Sequence, residues 1–331
     1  MNAALPATSL PATSLAGISP AFRKFHFTDI DEFRRATRKL RVDFTPLARK
    51  ISVRQAILNL AGVDIVVVNS FPRIADIQVA PDCSAVCFSM DDNDLIRFNG
   101  IDVDRAMIGI GHGGNGFSIV ERTGARLASI FFTPEIHDRG WPESHRHFQI
   151  FLMDVSAQQK LRLIVSEILK FASVSLETLV QQAAMAGFRE SLLATVDEAF
   201  ESANFSNHPR SLHAARAFAI YQKIEAALLD ELKGPVYSTA LASAVGVSVR
   251  TLHDVIMQHR GISLHRYLKL KRLWMVRLRL LAGGVSVKAC ALECGFWHLS
   301  DFSRAYRLHF GETPSQTLAN TRMTAMPRGS L

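Results

Sequence analysis

The tightest constraint on the fold is a pattern that occurs twice near the carboxyl end. Ala242 and Gly246 stand four residues apart, and Ala291 and Gly295 repeat the spacing 49 residues later (291 − 242). A small residue lets two helices cross closely, and a glycine lets the chain turn with positive φ where other residues would be strained. In the first copy Leu241, Val245, Val247, Leu252 and Val255 fall where they can share a core, and Ser248 stands where it can cap the following helix. In the second copy Val287, Cys290, Cys294, Phe296, Phe302 and Tyr306 take those parts. Phe302 and Tyr306 come one position late, so this turn is expected to be one residue longer. Pairs of crossed helices are therefore predicted over 238–259 and 286–309.

Each pair has the grammar of a helix-turn-helix, whose second helix leaves one side unpacked. In the first that side carries Arg250, Thr251, His253, Asp254 and Met257, and in the second His298, Leu299, Ser300, Asp301, Ser303, Arg304 and Arg307. This is the surface that such a helix presents to base edges in the major groove. Arg250 can bond a guanine bidentately; the alternative is that it meets only phosphates or water. Tyr267, Leu268, Leu273, Val276, Leu280 and Leu281 line one face of a connecting helix, with Lys269, Lys271, Arg272, Arg277 and Arg279 mostly elsewhere. Lys271 is a candidate phosphate contact.

Charge agrees with that placement. Residues 236–331 hold thirteen Lys or Arg against four Asp or Glu, 13 − 4 = +9, whereas residues 1–235 hold 25 against 26, or −1. A basic excess confined to one region suits phosphates, although a solvated basic face would look the same.

Residues 236–318 resemble the DNA-binding domain of the AraC/XylS family of bacterial regulators. The resemblance rests on Ser248-Val249-Arg250-Thr251-Leu252, on Gly261-Ile262-Ser263-Leu264-His265-Arg266-Tyr267, and on Arg272-Leu273 and Gly295-Phe296. Ser300-Asp301-Phe302-Ser303-Arg304 and Phe310-Gly311-Glu312-Thr313-Pro314 complete it, in order and in spacing. It implies that both recognition helices enter successive major grooves, with Arg250, His253, Asp254, Ser300 and Arg304 at base-reading positions. It also implies an α+β chain with a β-rich, cupin-like amino-terminal sensor, a helical dimerisation segment and an all-α carboxyl-terminal domain with two helix-turn-helix units. The implied partners are double-stranded promoter DNA, a small-molecule effector, RNA polymerase and a second copy of the chain, with activation the family tendency. Val276, Trp297 and Leu318 depart from the family pattern. Asp254 and Asp301 repel phosphates unless they read cytosine amino groups or pair internally.

The rest of the chain fits that order. Residues 1–20 repeat Leu-Pro-Ala-Thr-Ser and read as a disordered tail. Over 21–155, apolar runs at 64–69, 84–89, 106–110, 117–120 and 127–132, punctuated by Gly, Asn, Asp and Pro, predict strands of a sandwich or barrel enclosing an effector pocket. Leu161, Ile164, Val165, Ile168 and Leu169 predict an amphipathic helix that packs on its own sandwich or pairs two protomers. A second helix is expected over 176–200, within a helical segment spanning 156–203. Residues 204–212 read as a linker, 213–320 as the DNA-binding domain and 321–331 as a tail. No apolar run approaches about 18 residues, so the chain is expected to be cytoplasmic rather than secreted or membrane-spanning.

Chemistry-bearing motifs are weak by comparison. Gly109-Ile110-Gly111-His112-Gly113-Gly114 fits a dinucleotide fingerprint, but strand-like Phe117 to Val120 follows where a helix is needed, favouring a glycine-rich turn. His137, Glu143, His145 and His147 resemble fragments of a cupin metal site without the later carboxylate, leaving a metal-dependent enzyme fused to a DNA-targeting domain as the alternative. Cys83, Cys87, Cys290 and Cys294 lack zinc-site spacing and read as buried free thiols. No catalytic residue, metal or cofactor is assigned, and the chain is not read as an enzyme.

Overall fold

Two layers of antiparallel strands build the first half of the molecule. The computed structural model describes residues 22–325 except 38, 61, 93–95, 103–105, 133–138, 143–147, 175–177, 204–208, 232–236 and 284–285. The tail expected over 1–20 and the cluster His137, Glu143, His145 and His147 lie outside the described residues. The chain forms β1 (Phe22–Phe27), α1 (Ile30–Ala36), β2 (Leu40–Pro46), β3 (Val53–Asn59), β4 (Val63–Asn69), β5 (Arg73–Val79) and β6 (Ser84–Ser89). There follow β7 (Ile96–Phe98), β8 (Ile101–Asp102), β9 (Met107–Gly111), β10 (Gly116–Glu121), β11 (Arg126–Phe132) and β12 (Gln149–Leu152).

These strands make two antiparallel sheets, one ordered β1-β3-β4-β11-β6-β9-β12 and one ordered β2-β5-β10-β7-β8. The larger sheet is covered on both faces. Phe44, Ala75, Ile77, Phe117 and Ile119 of the smaller sheet meet Ala85, Cys87, Leu127 and Phe131 on one side. Ile65, Val67, Val86, Ile108 and Ile130 bury the other side beneath two helices, α2 (Val155–Ala172) and α3 (Thr178–Glu201). Strands covered on both faces lose polar alternation and become continuous apolar runs.

The interior expected to hold an effector pocket is packed with rings: Phe117 and Phe148 stack at 4.1 Å, with Phe98 6.0 and 6.5 Å from them. A side chain at Gly109 or Gly111 would come within 2.4 Å of the Phe148 ring, so β9 carries glycine at both places. Gly114 turns with φ 82° into β10. The glycine run is thus a strand and turn, as the sequence favoured.

Helix α2 buries Leu161, Val165 and Ile168 against its own sheet and leaves Val155 and Leu163 exposed. The helices α4 (Pro209–Glu231), α5 (Ser238–Val245), α6 (Val249–Arg260), α7 (Leu264–Leu281), α8 (Val287–Glu293), α9 (Leu299–Phe310) and α10 (Pro314–Ala325) complete the chain. Two expected boundaries need correction: α4 begins at Pro209, inside the stretch read as linker, and α10 runs to Ala325, inside the stretch read as tail. All four cysteines are free and buried. Among the described residues no single helix is long and apolar enough to cross a membrane.

Candidate nucleic-acid interface

Helices α5 and α6 meet at 89° around Gly246, whose φ is 75°. The Ser248 hydroxyl accepts the Thr251 amide at 3.0 Å, capping α6. Leu241, Ala242, Leu252 and Val255 are buried together with Phe218, Tyr221 and Ile224 of α4. The second pair, α8 and α9, closes on Cys290, Ala291, Cys294, Phe302 and Tyr306, with Gly295 at φ 77°. From the glycine to the residue just before the second helix is two positions in the first pair (248 − 246) and three in the second (298 − 295), the one-residue extension expected. Helix α7 joins both cores, Leu264, Tyr267 and Leu268 in the first and Leu273, Val276 and Leu280 in the second.

Arg250, His253, Asp254 and Met257 are exposed on α6 and Thr251 is half-buried; His298, Ser300, Asp301, Arg304 and Arg307 are exposed at α9. The packing of each helix on its partner leaves these side chains together on the outside. Arg250 and Asp254 form an i, i+4 pair at 3.7 Å. Internal pairing, one of the two roles foreseen for Asp254, is therefore what the free chain shows. Trp297, at the turn before α9, is 64% exposed, so its bulk costs the core nothing, and Leu318 is buried in the second core.

Residues 241–320 match a family described as helix-turn-helix domain. The XylDLEGF operon transcriptional activator 3 of Pseudomonas putida is 30% identical over 106 residues, covering 31% of this chain and 32% of that protein. The HTH-type transcriptional activator RhaS of Escherichia fergusonii is 36% identical over 89 residues, covering 27% and 32%. A solved structure of a probable AraC family transcriptional regulator from Rhodopseudomonas palustris is 31% identical over 97% of its length and 31% of this chain, with TM-score 0.29. Residues 241–320 are a helix-turn-helix domain of the AraC/XylS type. Its match spans about a third of the length of these curated relatives.

Two charges on the AraC-type domain are not where the sequence reading put them. Lys271, a candidate phosphate contact, is 8% exposed and bonds Glu225 of α4, because its position on α7 faces α4 rather than solvent. Burial by itself would lower the Lys271 pKa, and Tyr267 and Glu225 outweigh it and raise it. Burial in turn pushes Glu225 up to about 6, against the pull of Lys271. Arg277 is equally buried, held by Glu312 at 2.6 Å and Asp31 at 3.3 Å.

Sequence reasoning also missed Arg260, the last residue of α6. It is fully buried between the rings of Tyr221 and Tyr267, 4.7 Å from each, and bonds Asp76 of β5. The neighbouring His259 ring stacks on Tyr221 at 4.7 Å, and burial, with Arg97 nearby, holds its pKa down to about 4. The only sequence sign was the pair His259-Arg260 falling on the apolar side of an amphipathic helix, beside Val255 and Ile256.

Proposed function

We propose that this protein is a sequence-specific transcription activator that reads promoter DNA with α6 and α9 in adjacent major grooves. The single observation that carries the reading is the pair of outward faces, Arg250, His253, Asp254 and Met257 with half-buried Thr251 on one helix and His298, Ser300, Asp301, Arg304 and Arg307 on the other. Base edges in the major groove offer donors and acceptors that such side chains match. Activation is supported by the relatives, which are named as transcriptional activators, and contact with RNA polymerase is the route this reading gives it. The protein then works in the cytoplasm as a homodimer, with the exposed side of α2 as its pairing surface.

The β-rich domain, cupin-like in its two antiparallel sheets, is the sensor in this reading. This reading seats a small effector in an open cleft of about 550 Å³ outside the sandwich, lined by Arg34, Arg41 and Asp43 of the β-rich domain and by Leu278 of α7. Pockets of roughly 300–1,000 Å³ suit small molecules.

Selection of DNA by the full chain from a random pool tests the proposal. Enrichment of a two-part sequence is expected; recovery of no preferred sequence overturns it. The enzyme alternative would be favoured instead by stoichiometric iron or zinc together with turnover in the purified protein.

A further inference from the structure

The two recognition helices end alike. Helix α6 stops at Gly261 (φ 65°) and α9 at Gly311 (φ 81°), each glycine amide donating back to a carbonyl of the last turn at 2.9 Å. A helix end leaves carbonyl oxygens without partners, and a cation there is favoured by the helix dipole. In both cases an arginine of the β-rich domain supplies it. Arg97 donates to the carbonyls of Gln258 at 2.8 Å and Met257 at 3.2 Å, and Arg49 donates to that of Gly311 at 3.4 Å. Arg97 is itself fixed by two bonds to Asp102, at 2.7 and 2.8 Å, across the β7–β8 hairpin.

Other contacts reinforce the grip. The His259 ring rests on the backbone of Gly100, where an added side chain would come within 2.9 Å of it. On α7, Trp274 is buried in the core of the β sandwich, and Arg277 bonds Asp31 of α1. The β-rich domain therefore touches both helix pairs and the helix between them. It does so from behind, because Arg250 and Asp254 keep 92% and 72% of their side-chain surface free.

We propose that Arg97 and Arg49 are positioning residues for DNA reading: by capping α6 and α9 from one rigid domain they hold the two recognition helices at a single separation. This rests on the reading that both helices enter DNA. Half-sites read by linked helices must lie about one helical turn apart, and a displaced half-site is met only if one helix can follow it. A reader gripped at both helix ends cannot follow.

The test uses the full chain and a sequence that the wild type selects from a random pool, with one or two base pairs then inserted between its two parts. The wild type is expected to lose about tenfold in affinity on insertion, as a second contact is forfeited. Arg97→Ala is expected to lose less than about threefold while binding either half alone as the wild type does. Thermal melting checks the fold; Asp102→Asn, which only loosens the anchoring of Arg97, carries the same expectation if Arg97→Ala does not fold. An unchanged insertion penalty in the folded variants overturns the proposal, and so does tighter binding of the uninterrupted sequence. A wild type that selects no sequence overturns the underlying reading of the two helices instead.

Discussion

The Arg260 guanidinium, with none of its side chain exposed, bonds both carboxylate oxygens of Asp76, at 2.8 and 2.6 Å, across the boundary between the β-rich and helical domains. A buried charge stripped of its partner is costly, because the low-dielectric surroundings no longer offset its lost hydration. Asp76→Ala is therefore expected to destabilise the protein by about 3 kcal/mol, with Glu225, 3.3 Å from Arg260, as the remaining carboxylate. A urea midpoint close to that of the wild type would show that the pair contributes little.

Arg250 and Arg304 are expected to discriminate particular base pairs by roughly 1–3 kcal/mol each. The exposed Arg250–Asp254 pair is weak enough to open for that contact. Competition binding of Arg250→Ala and Arg304→Ala against point-substituted sequences should show relaxed preference at one or two positions. Equal loss on selected and random DNA would remove the residue from the base-reading set.

Lys271 is assigned to the fold and not to phosphates. Lys271→Met is expected to lower the melting temperature and to leave the slope of log affinity against log salt unchanged, whereas losing one phosphate contact shifts that slope by about 0.9. A slope change of that size would restore the phosphate role.

His259 makes stability sensitive to acid. With its pKa held down to about 4 by burial, against 6.5 in the unfolded chain, the folded state binds fewer protons between those values. The contribution is full above pH 6.5 and is lost as pH falls towards 4; at pH 5 the loss is about 2 kcal/mol. His309, held down to about 4 mainly by burial, acts in the same direction. Glu225, raised from 4.5 to about 6, acts oppositely, favouring the folded state as pH falls through that interval. Urea denaturation of His259→Phe across pH 4.5 to 7 should show a shallower acid loss than the wild type, and an identical profile would exclude the assignment.

Legibility in the sequence followed burial. Runs such as Ile65 to Val68 and Ala85 to Phe88 were readable as strands because the larger sheet is covered on both faces. β1, β2, β3, β5, β7, β8 and β12 were not singled out; in the first three, Arg23, Lys24, Arg41 and Arg54 interrupt the apolar pattern at solvent-facing positions. The reading faces of α6 and α9 were legible for a related reason. Once Leu252 and Val255, or Phe302 and Tyr306, turn inward, helical geometry sends the remaining side chains outward.

Local order along the chain thus determined the helix pairs, their glycine turns, the Ser248 cap and the outward polar faces, all of which depend on residues within a few turns of one another. Tertiary structure alone decided which cations leave solvent. Arg260, Lys271 and Arg277 are held by Asp76, Glu225 and Asp31, separated from them by 184, 46 and 246 residues. A charge is buried only where folding delivers a partner to repay its dehydration, and no spacing within a helix records where that partner will come from.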